Sequence, residues 1–341
     1  MLLTRRMLPG AIGALMLATG GVACAADDGE GQQVIRVYSG RHYGVEEVFE
    51  RFQEETGIRV EALTGNDAEL RDRIETEGDD TEADVYLTVD AGNLAAATAD
   101  GVFRPIESDI LDEAIPESLR DPEGNWYGLA VRARTIAYNS DLLDEDEAPT
   151  TYAELAEPSW KGRVCMRNAT SPYQQSLVAS LIELDGADAT KDVLEGWAEN
   201  ADIFANDVEI VEAIGAGACE VGIVNHYYLA RSLEEDPDLP VELVWADQDG
   251  DGVHLNLSGA GVTAAADDPE LAQQLIEWLA TTGQDQLVAD NHEYPANPEI
   301  EAEPLIAERF GTDFARQQVG AAAFGARNAE AVRLMDETDF G

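Results

Sequence analysis

Tyrosine side chains follow three segments that the sequence predicts to be β-strands, at residues 34–38, 163–167 and 220–224. In an open parallel α/β sheet, the carboxyl ends of the strands face the ligand crevice. Side chains just beyond these three segments should therefore converge on one cleft. The candidate residues at these positions are His42, Tyr43, Tyr173, Tyr227 and Tyr228.

A cluster of phenols beside one imidazole favours a particular metal. A phenol, with a pKa of about 10, becomes a good ligand only when a strongly Lewis-acidic cation displaces its proton. Ferric ion is small, hard and trivalent. Zinc or copper would call for cysteine or more histidine, and magnesium or calcium for carboxylates and carbonyls. We therefore expect Fe³⁺ here, although each residue alone could be ordinary packing or a surface polar pair.

Catalytic signatures are missing from the sequence, which has no GxxxxGK[ST] phosphate loop, no GxSxG nucleophile elbow, no HExxH and no CxxC pair. We therefore expect a binding protein and not an enzyme. Residues 247–252 imitate the start of a calcium-binding loop, but the twelfth position is Ser258 instead of a bidentate glutamate. A surface turn is the expected structure there.

The composition is strongly acidic. The 341 residues include 69 Asp+Glu against 21 Lys+Arg, a formal net charge of −48. Such a chain repels phosphate backbones and anionic lipid, which argues against nucleic-acid binding. Lys161 and Lys191 are the two lysines in the sequence. An acidic, lysine-poor surface is expected of a halophilic protein kept soluble in concentrated salt.

Residues 1–25 have the features of an export leader. Arg5 and Arg6 precede a short apolar stretch at residues 7–22, and Ala23-Cys24-Ala25 gives a small-residue cleavage site. A twin-arginine leader, or a lipobox with Cys24 lipidated, is an alternative interpretation. No later segment has 18 unbroken apolar residues, so we expect no membrane span and a periplasmic or extracytoplasmic location.

Removal of the leader would leave Cys165 and Cys219. In an oxidising compartment an even pair favours one disulfide, with two buried free thiols as the alternative.

Strands and helices alternate along the chain that follows the leader, and Gly57 stands where a left-handed helix C-cap would fall. The first β-α-β-α-β run predicts a parallel sheet with helices on both faces. The last forty residues should be helical and pack across the two lobes. The predicted strands are 34–38, 58–63, 85–89, 132–138, 163–167, 220–224 and 255–265, and the predicted helices are 45–52, 67–77, 93–99, 173–184, 191–198 and 270–281.

Six blocks of sequence resemble the periplasmic ferric-ion-binding proteins, the soluble receptors of iron ABC importers, and occur in that family's order. The blocks are Tyr38-Ser39-Gly40-Arg41-His42-Tyr43, Thr56-Gly57-Ile58, Ala83-Asp84-Val85, Arg132-Ala133-Arg134 through Tyr138-Asn139, Trp160-Lys161-Gly162-Arg163-Val164, and Asn225-His226-Tyr227-Tyr228. The resemblance extends from about residue 34 to the C-terminus. It implies an α/β protein with the type II periplasmic-binding-protein fold, two lobes around a hinged cleft. Residues 33–133 with 257–309 would form the N-terminal lobe, and residues 134–256 with 310–341 the C-terminal lobe.

The resemblance also implies the ligands. Tyr227 and Tyr228 match the family's paired tyrosine ligands, and Tyr173 the third tyrosine of its tyrosine-rich branch. His42 and Tyr43 match that branch's His-Tyr pair.

The other branch of the family uses phosphate and a glutamate ligand, and this sequence departs from it. Val89 stands near the glutamate position, and the phosphate nest at residues 170–172 is altered. Carbonate or another small anion is expected instead. Arg132 and Asn206 are candidates to hold that anion or the phenolates, with a hinge salt bridge and a helix cap as their alternative roles.

The implied function is capture of Fe³⁺ by a monomer and delivery to an ABC permease with its ATPase subunit. Two alternatives stay open. One is a receptor of the same fold for a small organic or oxyanionic solute, anchored by Arg132. The other is a secreted hydrolase using His42 with Asp90, for which the sequence offers no nucleophile.

Overall fold

A mixed β-sheet of ten strands forms the centre of the computed structural model, which describes residues 33–41 and 44–341. The strands are β1 Val34–Ser39, β2 Arg59–Thr64, β3 Val85–Thr88, β4 Tyr127–Asn139, β5 Val164–Arg167, β6 Ala201–Phe204, β7 Val221–Asn225, β8 Val241–Val244, β9 His254–Val262 and β10 Tyr294–Pro295.

Helices cover the sheet and end the chain. They are α1 Val45–Thr56, α2 Asp67–Glu77, α3 Ala91–Ala99, α4 Asp109–Ala114, α5 Pro172–Asp185, α6 Ala187–Asn200, α7 Asp207–Gly215, α8 His226–Glu235, α9 Pro269–Ala280, α10 Gln284–Ala289, α11 Pro304–Arg309 and α12 Ala321–Glu337. Short 3₁₀ turns occur at Gly78–Asp80, Glu117–Leu119, Glu145–Glu147, Glu154–Ala156 and Pro158–Trp160. Gly57 ends α1 at φ 79°, as predicted, and its N–H donates to the carbonyl of Gln53.

The strand order is β2-β1-β3-β9-β4-β7-β5-β6, with β8 and β10 also pairing with β4. Strands β1, β2 and β3 are parallel, as the first β-α-β-α-β run predicts, and so are β5, β6 and β7. Strand β9 is antiparallel to both β3 and β4, and β4 is antiparallel to β7. The sheet therefore has a parallel group on each side of an antiparallel centre.

Strands β4 and β9 connect the two sides. Strand β4 pairs with β9 from Tyr127 to Arg134 and then with β7 from Arg134 to Tyr138. Its register shifts between Gly128 and Ala130, where the strand bulges. Residues 33–341 form one compact unit around this sheet. The division of those residues between two lobes stays a prediction.

Apolar side chains fill both faces of the sheet. Along β3, Val85 and Leu87 join one buried cluster and Tyr86 joins the other, because alternate residues of a strand point to opposite faces. Helix α12, in the last forty residues, packs against both α3 and α5. Whether these two helices belong to different lobes stays a prediction.

Cys165 of β5 and Cys219, just before β7, form a disulfide, which confirms the interpretation favoured by the sequence. Both residues are buried between parallel neighbours of the sheet.

Replacing both cysteines by alanine, Cys165→Ala with Cys219→Ala, should lower the free energy of unfolding by about 4 kcal/mol, since the loop that the bond closes is long. The sequence separation is 54. Guanidinium unfolding under oxidising conditions measures the difference. A reducing agent should destabilise the wild type and leave the variant unchanged; equal stabilities without the reductant would contradict the prediction.

Candidate metal centre

A cavity of about 180 Å³ lies where β1, β3 and β7 reach their carboxyl ends. It is lined by Gly40, Arg41, Val89, Arg132, Tyr173, Tyr227, Tyr228, Arg231, Asn291 and Glu293. Three of the five side chains predicted to converge, Tyr173, Tyr227 and Tyr228, therefore lie at one cavity. Val89 lines the same cavity. His42 and Tyr43 lie outside the described residues, but the preceding residue, Arg41, lines this cavity.

The three tyrosines stand in the first turns of helices and not in loops. Tyr173 is the second residue of α5, and Tyr227 and Tyr228 are the second and third residues of α8. Pro172 at the start of α5 fixes the backbone for helix entry and lacks the N–H that would be unpaired there. The first turn of a helix gives these side chains a more rigid base than a loop would.

The phenols contact one another. The ring centroids of Tyr227 and Tyr228 are 4.3 Å apart, and the Asn225 side-chain amide donates to the Tyr227 hydroxyl at 3.5 Å. Burial, and next the neighbouring Tyr173, raise the pKa of Tyr227 well above its usual value of 10. Burial and Tyr173 also raise the pKa of Tyr228. Both phenols therefore keep their protons at neutral pH until a cation displaces them.

Arginines surround the tyrosines. The guanidinium carbons of Arg132 and Arg167 each lie 5.8 Å from the centre of the Tyr173 ring. Arg231 lies 5.3 Å from the Tyr227 ring and donates to the Asn291 side chain at 2.7 Å. In a chain with a net charge of −48, this local excess of positive charge suits phenolates or a bound anion.

Arg132 is paired on one side only. Its Nε lies 3.5 Å from Glu293 Oε1, an ion pair but not a well-aligned hydrogen bond, and both Nε and Nη2 are buried without a hydrogen-bond partner. Burial opposes its charge, but Glu293 and then Tyr173 raise the pKa of Arg132 overall. The unpartnered donors make Arg132 the natural anchor for an anion in the cavity.

Glu293 also holds a second arginine of the cavity, Arg41. The Arg41 Nη1 atom lies 2.7 Å from Glu293 Oε2. Arg41 further donates to the hydroxyl of Ser258 at 3.4 Å and to the carbonyl of Leu287. Neither Arg41 nor Glu293 was predicted as a site residue, although Arg41 stands inside the first sequence block that resembles the ferric-ion-binding proteins.

Asp207, the first residue of α7, is fully buried beneath the tyrosines. Its carboxylate pairs with Arg134 at 2.7 Å and with Arg167, and it accepts the backbone N–H of Asn225 at 3.2 Å. Arg167 is thereby held against Tyr173. Asp207 was not predicted as a site residue, since an isolated aspartate after an asparagine carries no sequence pattern.

Asn206 has the helix-cap role that the sequence left open. Its side chain accepts the backbone N–H of Glu209 at 2.9 Å and does not line the cavity. Asp90, the carboxylate of the hydrolase alternative, also caps a helix. It accepts the Asn93 N–H at 2.9 Å and the Asn256 side-chain amide at 2.8 Å.

His226, beside the tyrosine pair, is fully buried and does not line the cavity. Burial lowers its pKa to about 4, so the ring is neutral. Its Nδ1 atom accepts the backbone N–H of Ala133 at 3.2 Å, which connects α8 to β4.

The family model described as "Bacterial extracellular solute-binding protein" matches residues 47–310. The chain belongs to this family. It is 39% identical over 322 residues to iron uptake protein A1 of Synechocystis, covering 92% of this chain and 89% of that protein. It is 29% identical to the Fe(3+)-binding periplasmic protein of Serratia marcescens, covering 81% of each.

The fold of this solute-binding protein is similar to that of two solved structures. The Trichodesmium protein IdiA/FutA in complex with iron and citrate matches with a TM-score of 0.85 at 34% identity, over 90% of this chain and 100% of that chain. The ferric binding protein of Campylobacter jejuni matches with a TM-score of 0.82 at 29% identity, over 90% and 100%. The predicted type II periplasmic-binding-protein fold is confirmed.

In this solute-binding protein, Asp207→Asn should lower the free energy of unfolding by about 3 to 5 kcal/mol, because the buried Arg134 and the half-buried Arg167 would lose their carboxylate. Guanidinium unfolding tests this. The matched control is Asp202→Asn in the exposed strand β6, which should unfold almost as the wild type does. An Asp207→Asn midpoint equal to that of the control would contradict the buried network.

Proposed function

We propose that the protein is an extracytoplasmic receptor that captures ferric ion in the cavity of the three tyrosines and delivers it to an ABC importer. The observation that carries this proposal is the gathering of Tyr173, Tyr227 and Tyr228 at one small cavity beside buried arginines. The relatives whose names state iron or Fe(3+) binding support it.

The chemistry of the cavity selects a trivalent ion. The raised pKa of Tyr227 and of Tyr228 means that a weak Lewis acid would not displace their protons. Three phenolates would neutralise the charge of Fe³⁺, and hard oxygen ligands suit this hard ion better than zinc or copper. The ion is cargo, bound and then released without chemical conversion, so we assign no enzymatic activity.

Arg132 is the proposed anchor for an anion that completes the iron coordination. Once three phenolates balance the iron, Arg41 and Arg132 still share the single carboxylate of Glu293, which leaves one positive charge unbalanced. Carbonate or a carboxylate would balance that charge and accept hydrogen bonds from Nη2 and Nε of Arg132, which have no hydrogen-bond partner. Citrate accompanies iron in the Trichodesmium structure.

His42 and Tyr43 are proposed to complete the coordination from the opposite side of the cleft. They directly follow Arg41, which lines the cavity. In the proposed lobes, residues 33–133 with 257–309 would carry His42 and Tyr43, and residues 134–256 with 310–341 the other three tyrosines. Iron would bind first to these three, and closure about β4 and β9 would then exclude water.

The proposed partners are a membrane permease and its ATPase subunit, reached by a monomeric receptor. Among the residues that the structure describes, no helix combines the length and the apolar character that crossing a bilayer requires. The export leader at 1–25, with cleavage before Ala26 or lipidation of Cys24, falls outside the described residues and stays a proposal. So does the halophilic role of the acidic surface.

The alternative of an organic or oxyanionic solute is less well supported by the size of the site. A volume of about 180 Å³ is below the range of about 300 to 1,000 Å³ of pockets for drug-sized ligands. Arg132 could hold a small oxyanion by itself, and the titration described next separates this case from iron binding.

Ferric citrate added to the wild type should produce an orange to red tyrosinate charge-transfer band that saturates at one equivalent. Tyr227→Phe should lose most of that band and bind iron at least about tenfold more weakly. The matched control, Tyr138→Phe, changes a tyrosine that does not line the cavity and should behave as the wild type does. A wild type that stays colourless would instead favour the solute receptor.

Iron affinity should rise with pH. In the iron-free protein the pKa of Tyr227 and of Tyr228 is raised, so both phenols hold their protons. Each phenol that binds iron as a phenolate therefore releases one proton. The association constant should therefore increase about tenfold per pH unit for each proton released. Competition with a chelator of known pH dependence, from about pH 5 to pH 8, measures the slope. Equal affinity at both ends would refute phenolate ligation.

A further inference from the structure

A second group of metal-binding side chains lies outside the tyrosine cavity. Glu234, His292 and Glu303 offer ligand atoms that all lie within 4.8 Å of one another. Glu234 is near the end of α8, His292 follows α10, and Glu303 directly precedes α11. Three separate elements thus bring one imidazole between two carboxylates.

The hydrogen bonding of His292 is incomplete for a neutral ring. Its Nδ1 lies 2.6 Å from Glu303 Oε2, and its Nε2 lies 3.0 Å from Glu234 Oε2. A neutral imidazole has one N–H for these two carboxylates. We assign that hydrogen to Nδ1, because the contact with Glu303 is shorter and the Glu303 side chain is less exposed, 19% against 56% for Glu234. With that assignment the lone pair of Nε2 faces a carboxylate, an arrangement that a cation between the two atoms would stabilise.

We propose that Nε2 of His292 and the Glu234 carboxylate bind a divalent first-row transition ion such as Zn²⁺, with Glu303 holding Nδ1–H. Two atoms that each lie about 2.0 to 2.2 Å from one zinc ion are about 3.3 to 3.6 Å apart at the tetrahedral angle. The separation of Nε2 and Oε2 is 3.0 Å, and a small rotation of the exposed Glu234 side chain would open it enough to admit the ion. A carboxylate on the second nitrogen of a metal-bound histidine fixes the ring and its tautomer, which is the position of Glu303.

The surroundings of these three residues are negatively charged, and the group is open to solvent on one side. His292 is 7% exposed, whereas Glu234 is on the solvent side, so water can complete the coordination from there. Glu234 is in the last turn of α8, where the helix dipole adds negative potential. The overall charge of −48 concentrates cations near the surface.

The outer site, as we call Glu234, His292 and Glu303, is connected to the tyrosine cavity through the backbone. Helix α8 carries Tyr227 and Tyr228 in its first turn and Glu234 near its end. On either side of His292, Asn291 accepts a hydrogen bond from Arg231, and Glu293 pairs with Arg41. An ion at the outer site would therefore fix α8 against the segment that holds the arginines of the cavity.

Calorimetric titration of the full iron-free chain with Zn²⁺ tests the outer site, with excess Mg²⁺ to occupy the diffuse acidic surface. The wild type should bind one Zn²⁺ at this site. His292→Asn, in which asparagine tolerates the left-handed backbone at φ 54°, should lose this binding, and the exposed Glu234→Gln should weaken it at least tenfold. Glu303→Gln should weaken it about 10-fold to 100-fold. Glu235→Gln, the next residue of α8, is the matched control and should bind as the wild type does.

Two further measurements separate this site from the tyrosines. The double variant Tyr227→Phe with Tyr228→Phe should keep the Zn²⁺ binding, and X-ray absorption should report one imidazole nitrogen at about 2.0 to 2.1 Å from zinc. Binding that survives in both His292→Asn and Glu234→Gln, or that disappears in the tyrosine double variant, would overturn the proposal. So would the absence of saturable binding to the wild type, which would leave a protonated His292 as the bridge between the two carboxylates.

Discussion

The burial of phenol oxygens next to arginine side chains is the constraint around which the structure is organised. A buried polar group costs free energy unless it is paired, and a buried charge costs far more. In the cavity, Tyr227 keeps its proton and Arg132 keeps its charge with two donors unpartnered. A trivalent cation with an accompanying anion would supply what both groups lack. The free protein therefore holds its binding groups in place at some cost to its own stability.

Two buried carboxylates, Asp207 and Glu293, support this arrangement. Asp207 holds Arg134 and Arg167, and Glu293 holds Arg41 and Arg132. Each carboxylate fixes one arginine that stacks on Tyr173 and one that is anchored elsewhere in the fold. The positions of the guanidinium groups are thus set by the protein before any ligand arrives, which lowers the ordering cost of binding.

The sequence was sufficient to predict those elements whose local pattern is compatible with only one structure. Alternating and helical spacing located β1, β3, β5 and β7, Gly57 ended α1, and tyrosines after strand ends indicated the cavity. Three strands carried too little pattern: β6 and β8 are largely not buried, so neither shows a clear apolar run, and β10 has two residues. The antiparallel insertion of β9 depends on contacts between distant segments. For the same reason Glu293 and Asp207 were missed, since a buried carboxylate is recognised only by the arginines that surround it.

The position of β9 has a consequence for the order in which the protein can be built. Residues 254–262 lie between β3 and β4 in the sheet, and both of those strands precede them by more than a hundred residues. The sheet cannot be joined at its centre until most of the polypeptide has left the ribosome. Maturation is therefore delayed to the end of synthesis, and such distant pairings make the search for the native arrangement slow.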